Sequence, residues 1–190
     1  MTIDIRQLTL DELPLIAGLD TSSSEAIYDL VQPSTGAGLI LEKRTDQPAL
    51  ERAAWGASEI ASRMELWRRN YAEGCKFWGA FSDGGLVGFL LLSGERVNGV
   101  LEILSIFVDR KFRKKGVGTR LVSAAEEYCE EKGIKQVYVS TTLDGTAIDF
   151  YLKGGFRLVE LHSRCYRHQR GQAAFIKELG APNNRAQATR

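Results

Sequence analysis

The residues with the most chemical potential lie in one stretch, 101–121, which reads LEILSIFVDRKFRKKGVGTRL. It starts as an apolar, β-branched run and crosses a basic loop carrying Arg113, Lys114 and Lys115. It then reaches Gly116-Val117-Gly118 just as an amphipathic helix begins. A strand that passes through a cationic loop onto a helix start presents free backbone N–H groups and the positive end of the helix dipole together. That combination suits a phosphate. Glycines add the closeness of approach that a Cβ would prevent. With 19 glycines in 190 residues, a Gly-x-Gly pair can arise by chance, and Gly36-Ala37-Gly38 is read as such a pair. The pair at 116–118 differs in its context, because a strand ends eight residues earlier at Val108 and three cations precede it. The spacing fits neither a P-loop, since no Gly-Lys-Ser/Thr occurs, nor a dinucleotide fingerprint, since Leu121 stands where the third glycine belongs. The ligand implied is a pyrophosphate-bearing cofactor, with the rest of the chain bringing a second substrate to it.

The elements that must hold this stretch follow from periodicity. Residues 76–81, 86–92 and 100–108 are β-rich runs separated by Asp83-Gly84-Gly85 and by residues 94–99, as in an antiparallel meander. Residues 117–131 form a helix with Leu121, Val122, Ala125, Tyr128 and Cys129 on one side, four glutamates on the other, and Gly133 placed as a C-terminal stop. Residues 136–140 are a short strand after that helix, so it can lie parallel to 100–108 through a right-handed crossover. A short helix at 146–153 ends at Gly154-Gly155, and strands are expected at 156–166 and 173–179.

Upstream, residues 3–8 alternate as a strand, and Thr9 or Asp11 can cap a short helix reaching Leu19, with Leu13, Leu15, Ile16 and Leu19 buried. Residues 21–24 read as a polar break. Residues 26–31 and 39–43 read as two strands around a Pro/Gly turn at 32–38, and residues 53–71 as an amphipathic helix with a Met64, Trp67 and Tyr71 stripe.

Composition narrows the classes. A chain of 190 residues suits one domain, here 1–179, followed by a polar, Pro182-containing tail at 180–190 read as disordered. Charge is balanced, with 25 Lys+Arg against 24 Asp+Glu, so neither a nucleic-acid nor a membrane partner is implied. No apolar run reaches the roughly 18 residues of a membrane span, and the N-terminus lacks the basic start of a signal peptide. Cys75, Cys129 and Cys165 form neither a disulfide framework nor a metal knuckle and read as idle thiols in a reducing cytoplasm. His162 and His168 have no ligand partner at suitable spacing, so no metal is expected, and Arg164, Arg167 and Arg170 read as a solvated face.

Two separated motifs carry a resemblance. Arg113-Lys114-Lys115-Gly116-Val117-Gly118 matches the (Gln/Arg)-x-x-Gly-x-(Gly/Ala) signature of the GNAT family of N-acetyltransferases, and Ile106-Phe107-Val108 before it resembles that family's cofactor-binding strand. Downstream, residues 144–156, with Asp144, Ala147, Phe150, Tyr151, Gly155 and Phe156, resemble the family's Asn-x-x-Ala-x-x-Leu-Tyr…Gly-Phe segment. The resemblance implies an α+β, three-layer fold. Its central sheet would be mixed and mostly antiparallel, with a V-shaped split between two parallel strands and helices on both faces.

It also implies acetyl-CoA as co-substrate. Pantetheine would pair with the backbone of Ile106, Phe107 and Val108, and the diphosphate would sit on N–H groups of Lys115, Gly116, Val117, Gly118 and Thr119. Arg113, Lys114 and Asp144 complete the expected cofactor contacts; Asp144 stands at the family's Asn position, where it can accept a hydrogen bond but not donate one.

For acetyl transfer to a primary amine, Glu102 is the candidate base. It lies eleven residues before Arg113, an offset that resembles the catalytic glutamate of the family's histone-modifying members. The competing reading has Glu102 in solvent or paired with Arg96, and a bulge would decide which face it takes. Tyr151 matches the family's general acid. The acceptor part is expected at 21–72, where Glu25, Asp29, Glu42 and Asp46 could attract a small cationic amine, an arrangement that resembles streptothricin-type antibiotic acetyltransferases. A peptide amine and a homodimer stay open, and the alternative is a non-catalytic acyl-CoA-binding sensor.

Overall fold

The computed structural model of the chain describes residues 2–31, 40–94, 99–143, 147–162 and 172–180. In chain order the strands are β1 (Asp4–Gln7), β2 (Ser23–Glu25), β3 (Tyr28–Val31), β4 (Ile40–Lys43), β5 (Leu50–Arg52), β6 (Lys76–Ser82), β7 (Gly85–Leu92), β8 (Val100–Val108), β9 (Gln136–Thr142), β10 (Arg157–His162) and β11 (Gln172–Glu178). The α-helices are α1 (Ala57–Ala72), α2 (Val117–Glu131) and α3 (Ala147–Lys153). The chain divides into two compact units, Met1–Ser22 with Ala53–Val137, and Ser23–Arg52 with Tyr138–Arg190.

The first unit is built on the antiparallel order β1-β6-β7-β8. Alternation along the strands sends Phe77, Phe89 and Leu91 to one face, where they join Trp67 of α1 in a single buried core with Leu13, Ile16 and Leu19. Trp78 lies on the opposite face, where Tyr128 of α2 meets it edge-on at 5.3 Å. On that same face, the side chain of Leu121 lies where a Cβ on Gly88 would point. Each helix therefore buries one apolar stripe on its own side of the sheet.

The expected helix before Leu19 is a 3-10 helix, Leu10–Gly18. Pro14 inside it removes an N–H that an α-helix would use. A repeat of three then buries Leu13, Ile16 and Leu19 and leaves Leu15 exposed, contrary to the expectation for that residue. Thr9 sits at its N-cap as anticipated, with its backbone N–H donated to the Glu12 carboxylate at 3.0 Å.

In the second unit, β3 and β4 form the expected antiparallel hairpin, Tyr28 opposite Lys43 and Val31 opposite Ile40. Its turn lies outside the described residues. β2 and β5 add a short ladder that composition did not reveal. β11 lies between β9 and β10, and α3 buries Ile148 and Tyr151. The class is the expected α+β one, mostly antiparallel strands with helices. Cys75 and Cys129 are buried and in no disulfide among the described residues, while Cys165, His168, Arg164, Arg167, Arg170 and the tail at 181–190 lie outside the described residues. Among the described residues no helix is long and apolar enough to cross a membrane, and no cluster of metal-ligating side chains occurs.

Candidate active site

β8 carries the first half of the site, and its register settles which face Glu102 occupies. Leu90 pairs with Ile106 and Leu91 with Ser105, but Leu92 pairs with Ile103, so Leu104 is an extra residue on β8. In a regular strand, Glu102 would share a face with Ile106 and Val108. The bulge reverses that parity and places Glu102 with Ser105 and Phe107, on the side of the sheet that α1 covers. Its backbone is clamped on Ser93, whose hydroxyl accepts from the Glu102 N–H at 2.9 Å and whose own N–H donates to the Glu102 carbonyl at 2.8 Å. The Glu102 side chain is half-buried, and among the described residues its carboxylate makes neither a hydrogen bond nor an ion pair. Burial alone pushes its pKa above the ordinary glutamate value. Arg96, the competing partner, lies outside the described residues.

Beyond Val108 the chain is fastened before it reaches α2. Asp109 accepts from the Lys111 N–H at 3.0 Å through one carboxylate oxygen and from the Asp20 N–H at 2.9 Å through the other. Arg110 returns its N–H to the Asp20 carbonyl at 2.9 Å. Asp20 in turn accepts from the N–H and hydroxyl of Ser22 at 3.0 and 2.6 Å. Arg113 donates from Nε to the Val108 carbonyl at 2.9 Å and from Nη1 to the Ser22 carbonyl at 2.6 Å. Its guanidinium therefore braces the loop from within.

The loop then adopts the geometry that glycine was expected to permit. Lys114 has φ +58° and Gly116 φ +80°, both left-handed, and Gly116 is the N-cap residue of α2. The first helical hydrogen bond runs from the Arg120 N–H to the Gly116 carbonyl at 3.1 Å, so the N–H groups of Val117, Gly118 and Thr119 precede it and have no partner within the helix. A Cβ built on Gly116 meets nothing within 4 Å, which leaves open space at the cap. The Val117 side chain is buried and roots the helix start, and Lys115 lies over the Phe112 ring at 5.3 Å. Concave N–H groups, a positive dipole end and two lysines fit a diphosphate.

Tyr151 belongs to the second unit. It is 4% exposed, packed against the rings of Phe156 at 5.4 Å and Phe175 at 6.0 Å, and burial raises the pKa of its phenol. Asp144 lies outside the described residues. The acidic side chains expected to attract a cation are largely paired internally: Glu25 with Arg52 at 2.7 Å, and Asp29 and Asp46 both with Arg44, while Glu42 is exposed. Sequence reasoning missed Asp20, Ser22 and Asp109 as loop anchors. An Asp directly after a strand and before a turn is the signal that could have found the last of these. It also missed Trp55, which precedes α1 and lies against Phe107.

Residues 39–156 match the family model for the acetyltransferase (GNAT) family. The chain belongs to the GNAT family. Among its relatives, an uncharacterized Bacillus subtilis protein is 33% identical over 109 residues, 56% of this chain and 64% of that protein. Streptothricin acetyltransferase from Streptomyces lavendulae is 27% identical over 187 residues, 95% of this chain and 96% of that protein. Spermidine N(1)-acetyltransferase from Thermoplasma acidophilum is 26% identical over 160 residues, 83% and 90% respectively. A Bacillus anthracis structure assigned to streptothricin acetyltransferase, in complex with acetyl coenzyme A, has a TM-score of 0.76 at 20% identity, covering 94% of this chain and all of that one. At that identity, the likeness shows a shared GNAT fold.

Proposed function

We propose that this GNAT protein transfers the acetyl group of acetyl-CoA to a primary amine on a small cationic acceptor. The observation that carries the reading is the left-handed cap at Gly116 with its free N–H groups, braced through Arg113 and Asp109 onto Ser22 and Asp20. This cradle would hold the diphosphate on Lys115–Thr119, and the backbone of Ile106, Phe107 and Val108 would pair with pantetheine as an added strand.

The reaction needs a free amine, so a base must take a proton from the ammonium, and Glu102 is the candidate. Its half-buried carboxylate binds a proton more tightly than a solvated one, which suits that task. The amine nitrogen then attacks the thioester carbon, and a backbone N–H near Val108 would donate to the oxygen as charge develops. Collapse breaks the C–S bond; the departing thiolate takes a proton, the role assigned to Tyr151, and the surplus proton on the attacking nitrogen is released to solvent as the neutral amide forms, while the tyrosine regains its proton from solvent. Asp144 would supply a further cofactor contact. Relatives named for streptothricin and spermidine support a cationic acceptor.

A second reading, a non-catalytic acyl-CoA sensor, draws on the packing of Tyr151 among Phe156 and Phe175, which a structural aromatic would also adopt. A steady-state screen of polyamines, aminoglycoside-type amines and peptide amines, with detection of released thiol, separates the two. Thiol release that depends on the amine supports transfer. Acetyl-CoA binding without turnover of any class supports the sensor.

A further inference from the structure

The face of β8 that holds Glu102 also holds an aromatic pair with a cation already on it. Trp55 meets Phe107 edge-on, ring centroids 4.6 Å apart at 69°, and both residues are only partly buried. Trp55 is not a loose surface ring. Its backbone N–H donates to the buried hydroxyl of Thr21 at 3.0 Å, and Thr21 lies between Asp20 and Ser22, the two anchors of the loop that follows β8. Over this pair lies Arg63 of α1, its guanidinium carbon 4.3 Å from the Trp55 ring centre and 5.9 Å from that of Phe107. Glu59, one turn earlier, holds the same guanidinium from behind, accepting from Nε at 3.0 Å and from Nη2 at 2.7 Å.

We propose that the Trp55–Phe107 pair is a cation subsite for the amine acceptor, filled by Arg63 until a second positive group of the acceptor displaces it. The proposal rests on the acetyl-transfer reading for the identity of that acceptor. One aromatic face takes one cation at a time, so the acceptor's distal cation and Arg63 exclude each other there. Displacement is inexpensive because Glu59 keeps its ion pair as Arg63 swings away, and only the stacking is lost. The chemical class selected is an amine with a second, weakly hydrated cation, a substituted ammonium or a guanidinium-like group, since such cations give up water to a ring most readily. Phe107 and Glu102 share one face of β8, so a cation on the rings leaves the acceptor's other amine on the side where the base lies.

The test is calorimetric titration of the full chain, saturated with coenzyme A, using spermidine and singly charged hexylamine as probes. Arg63→Gln removes the resident cation and is expected to tighten spermidine roughly two- to five-fold, the span expected for an exposed cation–π contact. Trp55→Leu is expected to weaken spermidine relative to hexylamine by at least as much. Spermidine affinity that is unchanged or weaker in Arg63→Gln overturns the proposal, as does an unaltered spermidine-to-hexylamine ratio in Trp55→Leu, or a wild-type chain that does not bind spermidine. Arg63→Gln alone decides the matter if the tryptophan variant fails to fold. Thiol release is read separately. Binding that follows the predicted pattern without turnover removes the acetyl-transfer reading and leaves the subsite; turnover with an unaltered ratio does the reverse.

Discussion

Replacing Glu102 with glutamine should trade activity for stability, and both effects follow from the placement of one side chain. The bulge at Leu104 turns the carboxylate onto the α1 side of the sheet, half-buried and, among the described residues, without a charged partner. Burial raises its folded pKa above 4.5. The folded protein then holds the proton more tightly than the unfolded chain does. Stability therefore falls as pH rises through the interval between the two values, and the penalty is fully present above the folded pKa. Glutamine has the same shape and no charge, and Leu101 and Ile103 stay buried on the other face, so only the charge penalty is removed. Urea denaturation at pH 8 should show Glu102→Gln more stable than wild type, with the gain gone at pH 4, where the wild-type carboxyl is protonated.

The same variant removes the proposed base, which is expected to reduce kcat/KM by ~10²–10⁴, equivalent to roughly 2.7–5.5 kcal/mol of barrier. The acid limb of the wild-type pH–rate profile should lie above pH 4.5 and vanish in the variant. A kcat/KM within about three-fold of wild type in Glu102→Gln, or a variant less stable at pH 8, refutes the reasoning.

Other consequences can be measured together. Gly116→Ala forces a Cβ into a left-handed residue with open space around it, so its cost is conformational only, roughly 1–2 kcal/mol by urea denaturation, accompanied by weaker acetyl-CoA binding if the diphosphate sits on that cap. Tyr151→Phe should lower kcat with acetyl-CoA affinity intact, and an unchanged kcat assigns the residue to packing with Phe156 and Phe175. Trp67→Ala empties the centre of the α1 core, where the ring is 2% exposed and meets Phe89 at 5.4 Å. It should cost ~3–5 kcal/mol in denaturant unfolding, and a loss under about 1 kcal/mol contradicts the packing described.

Much of this molecule is written in local patterns. α2 spans the residues that its apolar stripe and Gly133 mark out, and the meander from β6 to β8 follows its turn glycines. The turn into α2 was legible because its geometry needs residues that few other settings demand, glycine at a left-handed cap among them. What escaped were features decided by partners distant in sequence. Ser23-Ser24-Glu25 and Leu50-Glu51-Arg52 are too short and polar to announce a ladder, and they pair because each supplies the other's hydrogen bonds. A bulge in β8 has no signature in 100–108 itself, since it arises from the mismatch with β7 at Leu91 and Leu92. The brace that Arg113 forms with the carbonyls of Val108 and Ser22 was not legible, because Ser22 lies 91 residues away in sequence. The ion pairs of Arg44 with Asp29 and Asp46 and of Arg52 with Glu25 were likewise set by folding rather than by any local pattern.

The central claim is that the β8–α2 segment grips acetyl-CoA, and thermal unfolding with and without that ligand tests it most directly. At about a hundred times its dissociation constant, a ligand bound only by the folded state adds ~2.7 kcal/mol, or roughly 5–10 °C in Tm for a chain of this size. The account predicts such a rise with acetyl-CoA, and a smaller one in Gly116→Ala at the same concentration. An unmoved Tm at millimolar acetyl-CoA contradicts it.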